Sequence, residues 1–197
     1  MSKAKRIAVD LVSTPHHPDA IETFERIKAK SGVGNIHRTL ANSPTVFKAF
    51  IGISHALRYA TLIDPIEREL AICCALEMVE GDYQLEPHRR LAQVLGASED
   101  QIINVSFPDR SDIYTPRQQA LLRFAMHFAA NPSERGDFHD NGIETILENR
   151  ERIELGLTLA MYIGMAHFTA VFDVPDDDFN APGALSAQLA ADAAHAQ

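Results

Sequence analysis

The stretch from Asp64 to Gly96 constrains the fold of this chain more than any other. From Pro65 it reads Pro-Ile-Glu-Arg-Glu-Leu-Ala-Ile-Cys-Cys-Ala-Leu-Glu-Met-Val, a helical run that stays mostly apolar as far as Val79. Asp64 stands at the N-cap position, Pro65 suits the first helical position, and Glu67 completes an Asp-x-x-Glu capping box. Gly81 and Asp82 stop this helix and open a second, with Asp82 as its N-cap. Tyr83, Gln84 and His88 then fall on the opening turns of the second helix. Pro87 lies just past its first turn, removes a backbone donor there, and predicts a bend. Glu69 sits one turn into the first helix. A carboxylate and an imidazole gathered at such a junction make an acid/base pair.

The rest of the chain reads as helices with local start and stop signals. Asp19–Ser31 carries Ile21, Phe24 and Ile27 on one face and closes at Gly32 and Gly34. A short helix spans Asn35–Ala41. Ser43 and Pro44 open a longer one with the stripe Val46, Phe47, Phe50, Ile51, Ser54 and Leu57. Ser98-x-x-Gln101 and Thr115-x-x-Gln118 are further capping boxes, the second with Pro116 at the first helical position. Arg117–Ala130 is amphipathic, Asn141–Glu148 is short, and Arg150–Phe172 is nearly all apolar. Residues 1–17, 131–140 and the acidic, Ala-rich tail from Pro175 read as irregular. No window alternates with period two for long enough to be a strand, so the expectation is an all-α single domain over residues 1–197, with eight or nine helices.

At 197 residues and 46% hydrophobic content, the chain can bury one sizeable core. Its formal charge of −9 argues against nucleic acid and anionic membrane surfaces as partners. Leu155–Phe172 is free of Asp, Glu, Lys and Arg, at the lower edge of a membrane-spanning length. Thr158, His167, Thr169 and two glycines inside it, with Glu154 and Asp173 flanking it, predict a buried core helix. Cys73 and Cys74 are adjacent, so a disulfide between them is strained and the pair alone cannot clasp zinc. The basic start lacks an apolar signal core, and two thiols on an apolar helix suggest a reducing cytoplasm. His16, His17 and His37 lack ligand spacing. No metal and no cofactor is expected.

Arg-Glu-Leu-Ala-Ile, then Gly-Asp-Tyr-x-x-x-x-His, then Ala92-x-x-x-Gly96 resembles the carboxymuconolactone decarboxylase-like superfamily, which includes the alkylhydroperoxidase D proteins. In those peroxidases a glutamate is followed twelve, fifteen and nineteen residues later by Cys, Cys and His. Here Glu69 is followed at these offsets by Gly81, Gln84 and His88. The glutamate and histidine match and both cysteines are absent, which is the pattern of a cysteine-lacking branch. The resemblance spans about Asp19 to Val174 and implies an alkylhydroperoxidase D-type helical bundle. It also implies a homo-oligomer (dimer, trimer or hexamer).

The candidate catalytic residues are Glu69, His88 and Tyr83; the candidate substrate-binding residues are His55, Arg58 and Gln84. Each has a plainer alternative. Glu69 suits a helix start or an ion pair with Arg68, His88 and Tyr83 suit packing, and Glu86 with Arg90 suits a solvated i, i+4 pair. Cys73, one turn beyond Glu69, reads first as a packing residue. The resemblance implies thiol-independent Glu/His acid-base chemistry on a small carboxylated or carbonyl-containing substrate, with Arg58, Arg68 or Arg89 as anion anchor. Two alternatives stay open: a peroxidase-related protein of the alkylhydroperoxidase D type, and a non-catalytic helical oligomer that binds a small molecule.

Overall fold

A helix that is apolar on every side has to be surrounded, and the one that opens the Asp64–Gly96 stretch is. In the computed structural model, which describes residues 7–29, 32–130 and 142–177, all nine residues from Arg68 to Leu76 are buried. Nine helices and no strand are found among the described residues: α1 Pro18–Lys28, α2 Asn35–Leu40, α3 Pro44–Tyr59, α4 Pro65–Met78, α5 Asp82–Leu95, α6 Glu99–Ile103, α7 Pro116–Ala129, α8 Ile143–Ile146 and α9 Asn149–Val171. The loop expected over residues 131–140 and the tail beyond Asp177 lie outside the described residues.

The contacts divide the chain into two compact units. One takes its described residues from those up to Ala56 and from Phe168 onward. Its core is Phe24, Ile27, Ala41 and Phe47, with Phe24 edge-on to Phe47 at 5.8 Å between ring centroids. Of the stripe expected on α3, Phe47 is buried in this core, while its neighbour Val46 is 61% exposed.

The other unit, Leu57–His167, holds the larger core. There α4 packs against α5 and α7, its Leu70 and Ala71 sharing one core with Leu121, Leu122, Leu155 and Leu159. Asp64 caps α4 by accepting from the backbone N–H groups of Ile66 and Glu67. The expected second half of that capping box does not form. Glu67 instead accepts from Arg117 Nε, whose guanidinium also reaches Glu151 and the Ile146 carbonyl. One arginine thus joins the starts of α4, α7 and α9. The Ser98 and Thr115 capping boxes close at both ends.

By length and composition, α9 is apolar enough to cross a membrane. It is not buried all round, as its uncharged run suggests. Leu155, Thr158, Leu159 and Ala166 face inward, while Ile153 and Leu157 stay exposed.

The break between α4 and α5 is built differently from its sequence reading. The residue in the left-handed region is Glu80, at φ 54°, not Gly81. The Gly81 N–H reaches back to the Leu76 carbonyl at 2.8 Å and the Glu80 N–H to that of Glu77, closing a Schellman turn. Gly81 is needed for space: a Cβ there would stand 2.8 Å from Leu76 and 3.0 Å from Ala166. Asp82 is the first residue of α5 rather than its cap, and α5 runs through Pro87.

Two substitutions separate these roles. Glu80→Gly removes left-handed strain and should raise unfolding free energy by about 1 kcal/mol. Gly81→Ala should lower it by roughly 1–3 kcal/mol through overpacking. Urea denaturation of the two variants checks both signs.

Candidate active site

Glu69 is fully buried on α4, and each of its carboxylate oxygens has a partner. One accepts from Arg68 Nε at 3.0 Å, and the other lies 2.5 Å from His88 Nδ1 on α5. Arg68 also donates through Nη1 to the Arg58 backbone carbonyl at 2.6 Å. Arg58 Nη2 donates to the Tyr162 hydroxyl at 3.1 Å, and the Tyr162 ring stands edge-on to His88 at 4.5 Å. A buried carboxylate is thus held among an imidazole and two guanidinium groups, all within the Leu57–His167 unit.

Two opposing effects act on this carboxyl group. Burial pushes it up, and the charge and hydrogen bond of His88, with the charges of Arg68 and Arg58, overcome that and bring it down to about 2. Glu69 is therefore ionised near neutrality. An ionised carboxylate only accepts, so His88 Nδ1 carries the proton that lies between them. Nε2 is left as the nitrogen that can exchange a proton with a substrate.

The remaining candidates are placed unevenly. Gln84 lies one turn before His88 on α5, and its Oε1 is buried with no hydrogen-bond partner among the described residues. Tyr83 is half-buried on the first turn of α5. His55 is exposed on α3 and belongs to the other compact unit. Arg89 is not an anchor beside Glu69: it pairs with Glu77, which also accepts from Ser106 at 2.5 Å. Tyr162 was missed from sequence. Its one signal is that it is the only phenol in the uncharged run of α9.

Cys73 and Cys74 are both free and buried. Burial, followed by the charge of Glu69, pushes the Cys73 thiol well up; burial and Glu77 push Cys74 up. Neither environment favours a thiolate. Among the described residues, no three His, Cys, Asp or Glu side chains gather in a way that could hold a metal ion.

Fold and site together define an all-helical protein built around a buried glutamate–histidine pair at a helix junction. The sequence model of the Carboxymuconolactone decarboxylase family matches residues 44–126. Over those residues the chain is similar to that family, and its fold is similar to that of AhpD-like proteins. No curated protein matches the sequence.

Three solved structures share the fold at low identity. One is the alkylhydroperoxidase AhpD core of an uncharacterized peroxidase-related protein from Ralstonia eutropha JMP134 (TM-score 0.71, 18% identity, covering 93% of this chain and 96% of that one). A second is an uncharacterized peroxidase-related protein from Silicibacter sp. TM1040 (TM-score 0.71, 16% identity, 90% and 95% covered). The third is a cysteine-to-alanine variant of the debrominase Bmp8 in complex with 2,3,4-tribromopyrrole (TM-score 0.71, 16% identity, 94% and 99% covered).

The Glu69 shift has a sign that can be measured. Its folded value lies below the ordinary 4.5, so its contribution to stability is complete above about pH 4.5 and is lost as pH falls toward 2. Thermal melts from pH 6 to pH 2 should show a steeper acid loss for the wild type than for Glu69→Gln. Parallel curves would mean that the carboxylate is not held ionised in the fold.

Proposed function

We propose that this protein is a thiol-independent acid-base enzyme of the carboxymuconolactone decarboxylase type, acting on a small carboxylated or carbonyl-containing molecule. The observation that carries this reading is the 2.5 Å contact between His88 Nδ1 and the fully buried Glu69 carboxylate. Glu69 fixes the tautomer and ring orientation of His88 and offsets positive charge on it. That is the role a buried carboxylate has behind a catalytic histidine.

For a decarboxylation, the bond between the leaving carboxylate and its neighbouring carbon breaks. The electron pair moves onto an adjacent carbonyl as an enolate, and carbon dioxide departs. Protonated His88 then delivers its Nε2 proton to the carbon and the carbonyl re-forms. Developing negative charge needs a cation nearby in a water-poor site. Arg58 is that group in this reading, since Arg68 already reaches Glu69 and the Arg58 carbonyl.

A thiol route is weaker on chemical grounds. Peroxide reduction needs a thiolate attacker and a resolving partner. The positions resembling that cysteine pair hold Gly81 and Gln84, and Cys73 and Cys74 are buried with raised thiols. The reading includes a cytoplasmic setting, which suits two free thiols. It also includes a homo-oligomer, which the exposed Ile153 and Leu157 on α9 favour.

The test is turnover on a panel of small β-keto acids and carboxylated lactones. His88→Ala and Glu69→Gln should each lower turnover by about 10²–10⁴. The double variant should be little worse than the weaker single one, because residues that act as a unit are non-additive. Unchanged turnover per folded molecule, with additive stability losses, would refute the acid-base role. Replacing Cys73 and Cys74 together with Ser should leave turnover within a few-fold; a loss beyond a hundredfold in folded protein would restore the thiol route.

A further inference from the structure

Three buried side-chain atoms lack a hydrogen-bond partner among the described residues: Gln84 Oε1, Arg89 Nε and Arg152 Nε. The two arginines each spend another nitrogen of the same guanidinium, on Glu77 and on Asn149. Gln84 is different in kind, because Oε1 is the only acceptor among the three. A buried acceptor with no donor is disfavoured by a free energy comparable to a lost hydrogen bond, so such groups are nearly always satisfied by water or ligand.

The register of α4 on α5 says where that acceptor stands. Glu69 faces His88, and Leu76 faces Gly81. Continuing that antiparallel register between these two pairings brings Cys73 opposite Gln84. Gln84 is thus one turn from His88 on α5, and its opposite number Cys73 is one turn from Glu69 on α4. The charge of Glu69 acting on the Cys73 thiol agrees with that closeness. A thiol pushed up by burial is a poor donor, and no hydrogen bond joins it to Gln84. The next turn of the seam therefore offers an acceptor unmet among the described residues, one turn along α5 from His88.

We propose that Gln84 is the specificity-determining residue of this site, and that the ligand it selects is a small hydroxylated carboxylate. The ligand's hydroxyl donates to Gln84 Oε1 and its carboxylate meets Arg58. This rests on the acid-base reading of Glu69 and His88 and narrows the substrate class. An acid that lacks the hydroxyl can enter, but it leaves Oε1 buried and unmet. Discrimination then comes from the site's own unpaired acceptor as much as from any contact to the ligand.

The test is binding, read by isothermal titration calorimetry on the full chain with benzoate and its 2-, 3- and 4-hydroxy isomers. The wild type should bind at least one hydroxy isomer tenfold or more tighter than benzoate. Gln84→Met keeps the side-chain length and removes the acceptor, so it should erase that preference while holding benzoate affinity within about twofold. Removing an unmet acceptor should leave the melting temperature unchanged or raised; Gln84→Leu is the second variant if Gln84→Met does not fold. A preference that survives in the variant, equal affinity for all four acids, or no binding of any of them overturns the proposal. Titration needs no turnover, so a failed activity screen and a failed binding test are separate results. His88→Ala should keep the hydroxyl preference even as it removes chemistry.

Discussion

The fold of the Leu57–His167 unit is committed to one buried charge. Moving a carboxylate out of water costs several kcal/mol unless its charge and lone pairs are met. Glu69 is met on both oxygens, by Arg68 from its own helix and by His88 from the next. Removing either partner would leave a charge stranded in the core, so the register of α4 on α5 is held by electrostatics as well as by packing. Arg68 then reaches the Arg58 carbonyl, and Arg58 reaches Tyr162 on α9. One ionised carboxylate thereby organises the approach of three chain segments.

The α4–α5 junction shows what that register requires. Gly81 sits against Leu76 and Ala166 where no side chain would fit, and this lets α5 turn back close along α4. The left-handed residue needed to end α4 is then Glu80, which accepts backbone strain so that the glycine can stand one place later. Close approach won over backbone ease. The same closeness puts His88 within hydrogen-bond reach of Glu69.

The site also explains how a shared fold can carry different chemistry. Structures bearing peroxidase-related and debrominase names share this helical arrangement at 16–18% identity. Such likeness speaks for the scaffold, and function belongs to the groups mounted on it. Here the junction offers glycine, glutamine and histidine in the places a cysteine pair and histidine would occupy. Both cysteines of the chain stand on α4 with their thiols raised. The function proposed above follows from what remains there, a buried glutamate–histidine pair.

Sequence alone determined the helices and most of their ends. Asp64, Ser98 and Thr115 act through bonds two or three residues away, and those short links leave readable spacings. It also singled out Glu69 and His88, whose nineteen-residue offset spans one helical hairpin. Tertiary structure decided the rest, because the partners stand far apart in the chain. Glu67 left its capping box for Arg117, 50 residues away, and Tyr162 joined the site through Arg58 at a separation of 104. His55, equally polar and equally near the motif in sequence, went to another unit. A spacing rule cannot foresee such choices, since they follow from which helix faces pack and which charges that packing leaves to be met.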